Sequence, residues 1–161
     1  MSFKKAVVLL LAVSMLLGTA LTTTTAEAAK KKYTNREVKL LASIIFCEAG
    51  NQSYAGKLAV GCVVMNRKRS HSFPNSVEGV IRQRGQFSPV RQGKFSRELK
   101  KYKNGAYKKG ARAQCVRAAK AALSGQTYVR TRGKKISMRK YHFFSTRLHR
   151  AKLRIGAHDF K

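Results

Sequence analysis

One carboxylate stands out from the rest of the chain. Glu48 closes the apolar run "IIFC" (Ile44 to Cys47), in a sequence with only six acids against thirty-five Lys and Arg. Val38, Leu41, Ile45 and Glu48 recur at spacings of three, four and three, which places them on one face of a helix. A carboxyl at the end of such a face loses hydration, and that favours its protonated form. The dense positive charge pulls the other way. If burial wins, Glu48 is a general acid able to protonate a leaving oxygen near neutral pH. If it does not, Glu48 is a glutamate held by a cap or an arginine.

Acid-catalysed cleavage of a glycosidic bond commonly uses two carboxyls, ~5 to 5.5 Å apart for retention or ~6.5 to 9.5 Å for inversion. Glu37 lies eleven residues earlier on the same helix, roughly 16 Å away along its axis, and cannot serve. Glu78, Glu98 and Asp159 sit in no convincing motif. A mechanism with a single acid is the simplest account. In a lytic transglycosylase one Glu protonates the leaving oxygen, and the sugar's own 6-hydroxyl closes a 1,6-anhydro ring.

The elements that would position Glu48 follow from capping and period. Thr34 or Asn35 starts a helix that runs to about Ala49, and Gly50-Asn51 ends it. Ser53 caps a second helix, Tyr54 to about Lys68. Its apolar residues lie nearly all round, so it belongs in the centre of the core. A brief helix is expected near Ser76 to Gln83. The stretch from Arg84 to Phe95, with two Gly and a Pro, reads as a loop, and Arg97 to Lys109 as an exposed, mobile basic segment. Ala111 to Leu123 is a helix with a narrow face of Ala111, Cys115, Ala118, Ala119 and Ala122. The tail changes period: "TYVRT" and "YHFFST" read as strands, and "IGAHDFK" as another. The class is α+β, a mainly helical domain with a small antiparallel β element.

The totals bound the setting. Lys4 and Lys5 precede the apolar run Ala6 to Leu17, and Ala26-Glu27-Ala28 is a small-x-small site. Residues 1–28 are thus expected to be an export signal, with Gly18-Thr19-Ala20 as the alternative cleavage site. Residues 29–35 would form a basic lead and 36–161 one catalytic domain. The exported chain keeps a formal charge near +28, which draws it to polyanions. Outside a cell these are anionic wall polymers and lipid surfaces, with no specific nucleic acid implied. Three Cys, with no CxxC pair or Cys/His cluster, suggest buried apolar residues rather than a metal site. No cofactor motif is present, and a secreted, wall-associated monomer is expected.

The segment "LLASIIFCEAGNQSYAGKLAVGCVVMNRKRSHSFPNSVEGVIRQRGQFSPV" resembles the signature of the SleB/CwlJ cell-wall hydrolases. Glu48, Ala49, Gly56, Ala59, Val60, Gly61, Asn66 and Arg67 match the family pattern. So do Phe73, Pro74, Val80, Ile81, Phe87 and Ser88. The closing "YHFFST…RIGAHDFK" is similar to the family's last block. The resemblance implies a lysozyme-like domain that cleaves peptidoglycan, with Glu48 as its acid, and spore cortex lysis during germination as one family setting.

Beyond Glu48, the loop residues Gln86, Phe87 and Ser88 are candidates for substrate contact. Tyr141, His142 and Phe143 could stack on sugars, and His158 is a further candidate. Alternation would put Tyr141 and Phe143 on one face, His142 and Phe144 on the other. Asn66 and Arg67 are expected to cap and brace the long helix, and Tyr54 to pack in the core. Two other classes compete: a cysteine peptidase using Cys47 with His142, His149 or His158, and a non-enzymatic extracellular polyanion binder. Cys47 lies near a helix C-terminus, the wrong end to lower a thiol's pKa.

Overall fold

The computed structural model describes residues 33–161, so the expected export signal lies outside the described residues. Helix α1 spans Asn35–Ala49. Thr34 caps it in a reciprocal box: its hydroxyl accepts from the Glu37 amide at 3.1 Å, and the Glu37 carboxylate accepts from the Thr34 amide at 2.9 Å. Tyr33 packs partly against the core, so the basic lead gives its last residues to this helix. Helix α2, Tyr54–Arg69, is buried on all sides from Ala55 to Arg67, as its sequence requires. Ser53 caps it by accepting from the Gly56 amide.

Short helix α3 (Val77–Arg82) follows, capped by Ser76. The next stretch differs from expectation. A single turn, α4 (Ser88–Arg91), interrupts the expected loop, and a ten-residue helix, α5 (Lys94–Lys103), replaces the expected mobile segment. A 3₁₀ turn at Ala106–Lys108 leads into α6, Gly110–Leu123. The apolar face of α5 is Phe95, Leu99 and Tyr102, with Glu98 set among them. That charged member hides the helical period when the sequence is read alone.

Helices α1, α2 and α6 pack against one another, and α5 packs on α1. Gly61 lies where the first three meet. A Cβ there would stand 3.1 Å from Ile45 Cδ1 and 3.2 Å from Ala122 Cβ, so the residue permits the close approach. On α6 the buried face is Cys115, Ala118, Ala119 and Ala122. Ala111, in the opening turn, is exposed, contrary to expectation.

The β element is two small antiparallel sheets. Strands β1 (Tyr128–Thr131) and β2 (Lys134–Ser137) form a hairpin whose turn, Arg132-Gly133, takes positive φ at both residues, as a two-residue turn of this hand demands. The second sheet has the order β3–β5–β4, from Phe144–Ser145, Leu153–Ile155 and His158–Phe160. The expected strand through Tyr141 is reduced to Phe144–Ser145. Tyr141 is buried and Phe143 is 44% exposed, so they do not share a face. The cause is local: Tyr141 closes a turn onto Met138, while His142 and Phe143 both donate to the Lys161 carbonyl. Alternation cannot begin before the ladder does.

Candidate active site

Glu48 occupies the last turn of α1, half-buried. Burial raises its pKa to about 7, against a smaller downward pull from the Lys94 ammonium at the start of α5. The negative end of the helix dipole also disfavours its charge. Among the described residues it makes no ion pair. The other described acids are all committed. Glu37 pairs with Lys68 at 3.2 Å, Glu78 with Arg36 and Arg82 at 2.6 and 3.0 Å, and Asp159 with Arg154 at 3.1 Å. Glu98, 6% exposed, receives Lys101, Arg112 and the Tyr107 hydroxyl, each at 3.0 Å. Among the described acids, Glu48 is the one left without a cationic partner, despite the excess of cations.

The loop behind Glu48 is clamped. The Gln52 amide donates to the Ala49 carbonyl at 2.9 Å, tightening the exit from α1. The Gln52 side chain accepts from the Ala157 amide at 3.0 Å, which fastens this loop to the β4–β5 turn. Gly156 in that turn has φ +59°, and a Cβ there would meet Gln52 Oε1 at 2.5 Å. The Lys57 ammonium, on a residue 2% exposed, donates to the Gln52 carbonyl. Gln52 and Lys57 therefore position the Glu48 end of α1, although the sequence reading does not single them out. The available signal was Lys57, the one charge in the apolar stretch from Tyr54 to Met65.

The other candidates lie along α2. Asn66 Nδ2 donates to the carbonyls of Met138 and Tyr141 at 2.6 and 2.8 Å, and Arg67 Nε to that of His142 at 2.6 Å. These bonds brace the long helix against the tail, as expected. The Arg67 guanidinium lies 5.3 Å from the centres of Phe73 and Phe143 and 5.4 Å from that of Phe87. Its burial lowers its pKa to about 10.

From this cluster a row of rings runs toward the Gln52 loop. His142 stacks on Phe73 at 5.9 Å, Phe87 meets Phe144 at 6.2 Å, and Phe144 meets the edge of His158 at 5.3 Å. Ala157, beside His158, bonds Gln52. Of the expected contact residues, Ser88 and Phe143 are exposed, and Gln86 and His142 are half-buried. Phe87, Tyr141 and His158 are buried. Burial also lowers the His158 pKa. Tyr54, expected in the core, is instead 39% exposed at the first position of α2.

Cys47, next to Glu48, is a poor nucleophile here. Burial, with Glu98 and Glu48 nearby, pushes its thiol up to about 12. Cys62 and Cys115 are buried, and all three cysteines are free. The peptidase reading therefore loses its nucleophile.

The fold and the site define an α+β domain built around a helical hairpin that carries a secluded acid. The model of the Cell Wall Hydrolase family matches residues 51–161, and this chain belongs to that family. The matched segment begins just past Glu48, so the case for Glu48 rests on its surroundings. Over 63 residues the chain is 39% identical to a spore cortex-lytic enzyme of Bacillus subtilis and 37% identical to one of Bacillus cereus, in each case 39% of this chain. It spans about a fifth to a quarter of those relatives, 21% and 24% of their lengths. Two solved structures share the fold at a TM-score of 0.57 and 23% identity. They are the catalytic domains of the germination-specific lytic transglycosylase SleB from Bacillus anthracis and of SleB from Bacillus cereus. Each alignment covers 80% of this chain, with 95% and 91% of the respective neighbour.

Proposed function

We propose that this chain cleaves the glycan strands of peptidoglycan as a lytic transglycosylase, with Glu48 acting first as general acid and then as general base. The observation that carries the reading is the unpaired, half-buried Glu48 carboxyl, raised to about 7 while every other described acid is ion-paired. Family membership supports the substrate class.

In the first step the neutral carboxyl gives its proton to the glycosidic oxygen, and the bond from C1 of the muramic sugar to that oxygen breaks. The departing sugar leaves with a free hydroxyl. Glu48, now a carboxylate, takes the proton of the 6-hydroxyl, whose oxygen bonds to C1 and closes the 1,6-anhydro ring. Glu48 ends protonated, ready for the next cycle. No second carboxylate is required, which suits a site where the alternatives are neutralised by arginines and lysines. A pKa near 7 lets one group be neutral on arrival and charged after the transfer.

The charge of the exported chain, near +28, supports retention on anionic wall polymers. Among the described residues no helix is long and apolar enough to cross a membrane.

The test is digestion of purified peptidoglycan, read by mass spectrometry. The expected products end in 1,6-anhydro sugars. Glu48→Gln, verified as folded, is expected to slow release by ~100-fold or more, on the scale of a lost general acid. Reducing ends in place of anhydro ends would make the enzyme a hydrolase. Full activity of the variant would remove Glu48 from the mechanism. Intact glycan with tight binding would leave only the polyanion-binding reading.

A further inference from the structure

Helix α5 makes a second feature beside Glu48. A depression of about 280 Å³ is lined by Phe46 and Cys47 from α1 and by Lys94, Arg97, Glu98 and Lys101 from α5. Cys47 is the chain neighbour of Glu48, and Lys94 acts electrostatically on both. Glu48 does not itself line the depression; Lys94, which does, is the cation that acts on it.

Its charges are unevenly committed. Glu98 is bound by Arg112, Tyr107 and Lys101. Lys94 and Arg97 are exposed, and among the described residues neither has a carboxylate partner. They stand three residues apart on α5, so both present to the same side of the helix. The Phe46 ring supplies an apolar wall, itself held at 4.1 Å by the Arg112 guanidinium. The concavity thus offers two free cations, an apolar wall and a neutralised acid. This suits a short chain that carries a carboxylate, and the two free cations would bind that carboxylate by charge-assisted hydrogen bonds.

We propose that this depression binds a carboxylate of the stem peptide attached to the muramic sugar, so that the enzyme prefers glycan bearing peptide stems over bare glycan. The inference rests on the proposed glycan cleavage for its substrate. The stem is the anionic group covalently fixed beside the bond to be broken. A phosphate on a separate wall polymer has no such tether to the Glu48 position.

Two measurements separate this inference from the reading it rests on. The first is cleavage of three substrates: sacculi freed of wall phosphate polymers, the same sacculi stripped of stems by an amidase, and untreated sacculi. A roughly tenfold preference for stem-bearing over stripped glycan is expected, and Arg97→Gln should abolish most of it, the size of one charge-assisted contact. Arg97→Lys should restore part of the preference. Lys120→Gln, a remote exposed cation on α6, should leave it intact. A preference that disappears once wall phosphate is removed assigns the depression to the phosphate polymer and overturns the proposal. So does an Arg97→Gln variant that slows both substrates equally.

The second measurement is titration of the folded protein with the dipeptide L-alanyl-D-glutamate, followed by NMR. Shifts at Cys47 and the α5 amides should appear with the free acid and be lost with its methyl ester or with Arg97→Gln. Binding without any glycan cleavage would sink the proposed activity and leave the depression standing. Cleavage with neither stem preference nor dipeptide binding would do the reverse.

Discussion

Glu48 on α1 and Glu98 on α5 are carboxyls on two packed helices, each withdrawn from water, and they end in opposite states. Burial pushes the Glu98 carboxyl up, but hydrogen bonds from Arg112, Lys101 and Tyr107 outweigh it, so its pKa lies below the ordinary value. Burial at Glu48 meets only the smaller downward pull of Lys94, so its pKa rises to about 7. Donors within hydrogen-bond reach of Glu98 offset its burial, and Glu48 has none to offset its own. A neutralised acid is mortar between helices; an unsatisfied one holds chemical potential for a proton.

The contrast can be broken from either side. The largest effect on folding is expected at the satisfied acid. Glu98→Ala strands Arg112 and the Tyr107 hydroxyl, and should cost about 3 kcal/mol or more by denaturant unfolding at neutral pH. Glu48→Gln should do the opposite. A folded-state pKa raised above the unfolded value near 4.5 means that stability is greatest below that value and declines as pH rises through about 7. The wild type should therefore lose of order 2 kcal/mol between pH 4.5 and 8 that the Gln variant keeps, so the variant unfolds later at pH 8. Equal pH profiles for the two proteins would show that Glu48 is not the group responsible. The smallest effect sharpens the comparison. Lys94→Gln removes the one cation that lowers the Glu48 pKa, so the alkaline limb of the pH–rate profile should move upward, by under about one unit for an exposed charge.

The same pair explains what could be read from the chain alone. Helices α1 and α2 were legible because their caps and apolar periods agree: Thr34 and Ser53 start them, and buried residues recur in step. Glu48 was legible as an acid in line with that face. Helix α5 was not, because its face includes Glu98, and Arg112, which cancels that charge, lies fourteen residues later on another helix. Three positions that matter around Glu48 were obscured for related reasons. Lys94 fell in the expected loop, Arg97 opened the expected basic segment, and Gln52 acts through a contact with Ala157 that spans 105 residues. The β3 boundary failed differently. Residues 141–146 have strand chemistry, but their hydrogen bonds go to a turn and to a single carbonyl until Phe144.

The order β3–β5–β4 places the strand synthesised last between the two made before it. Until Phe160 has emerged, β3 and β4 have nothing to pair with, and the turn that anchors Gln52 cannot form. Assembly around Glu48 is thereby tied to completion of this strand, so a nascent chain halted before His158 should carry Glu48 on a helix whose supporting loop is still loose.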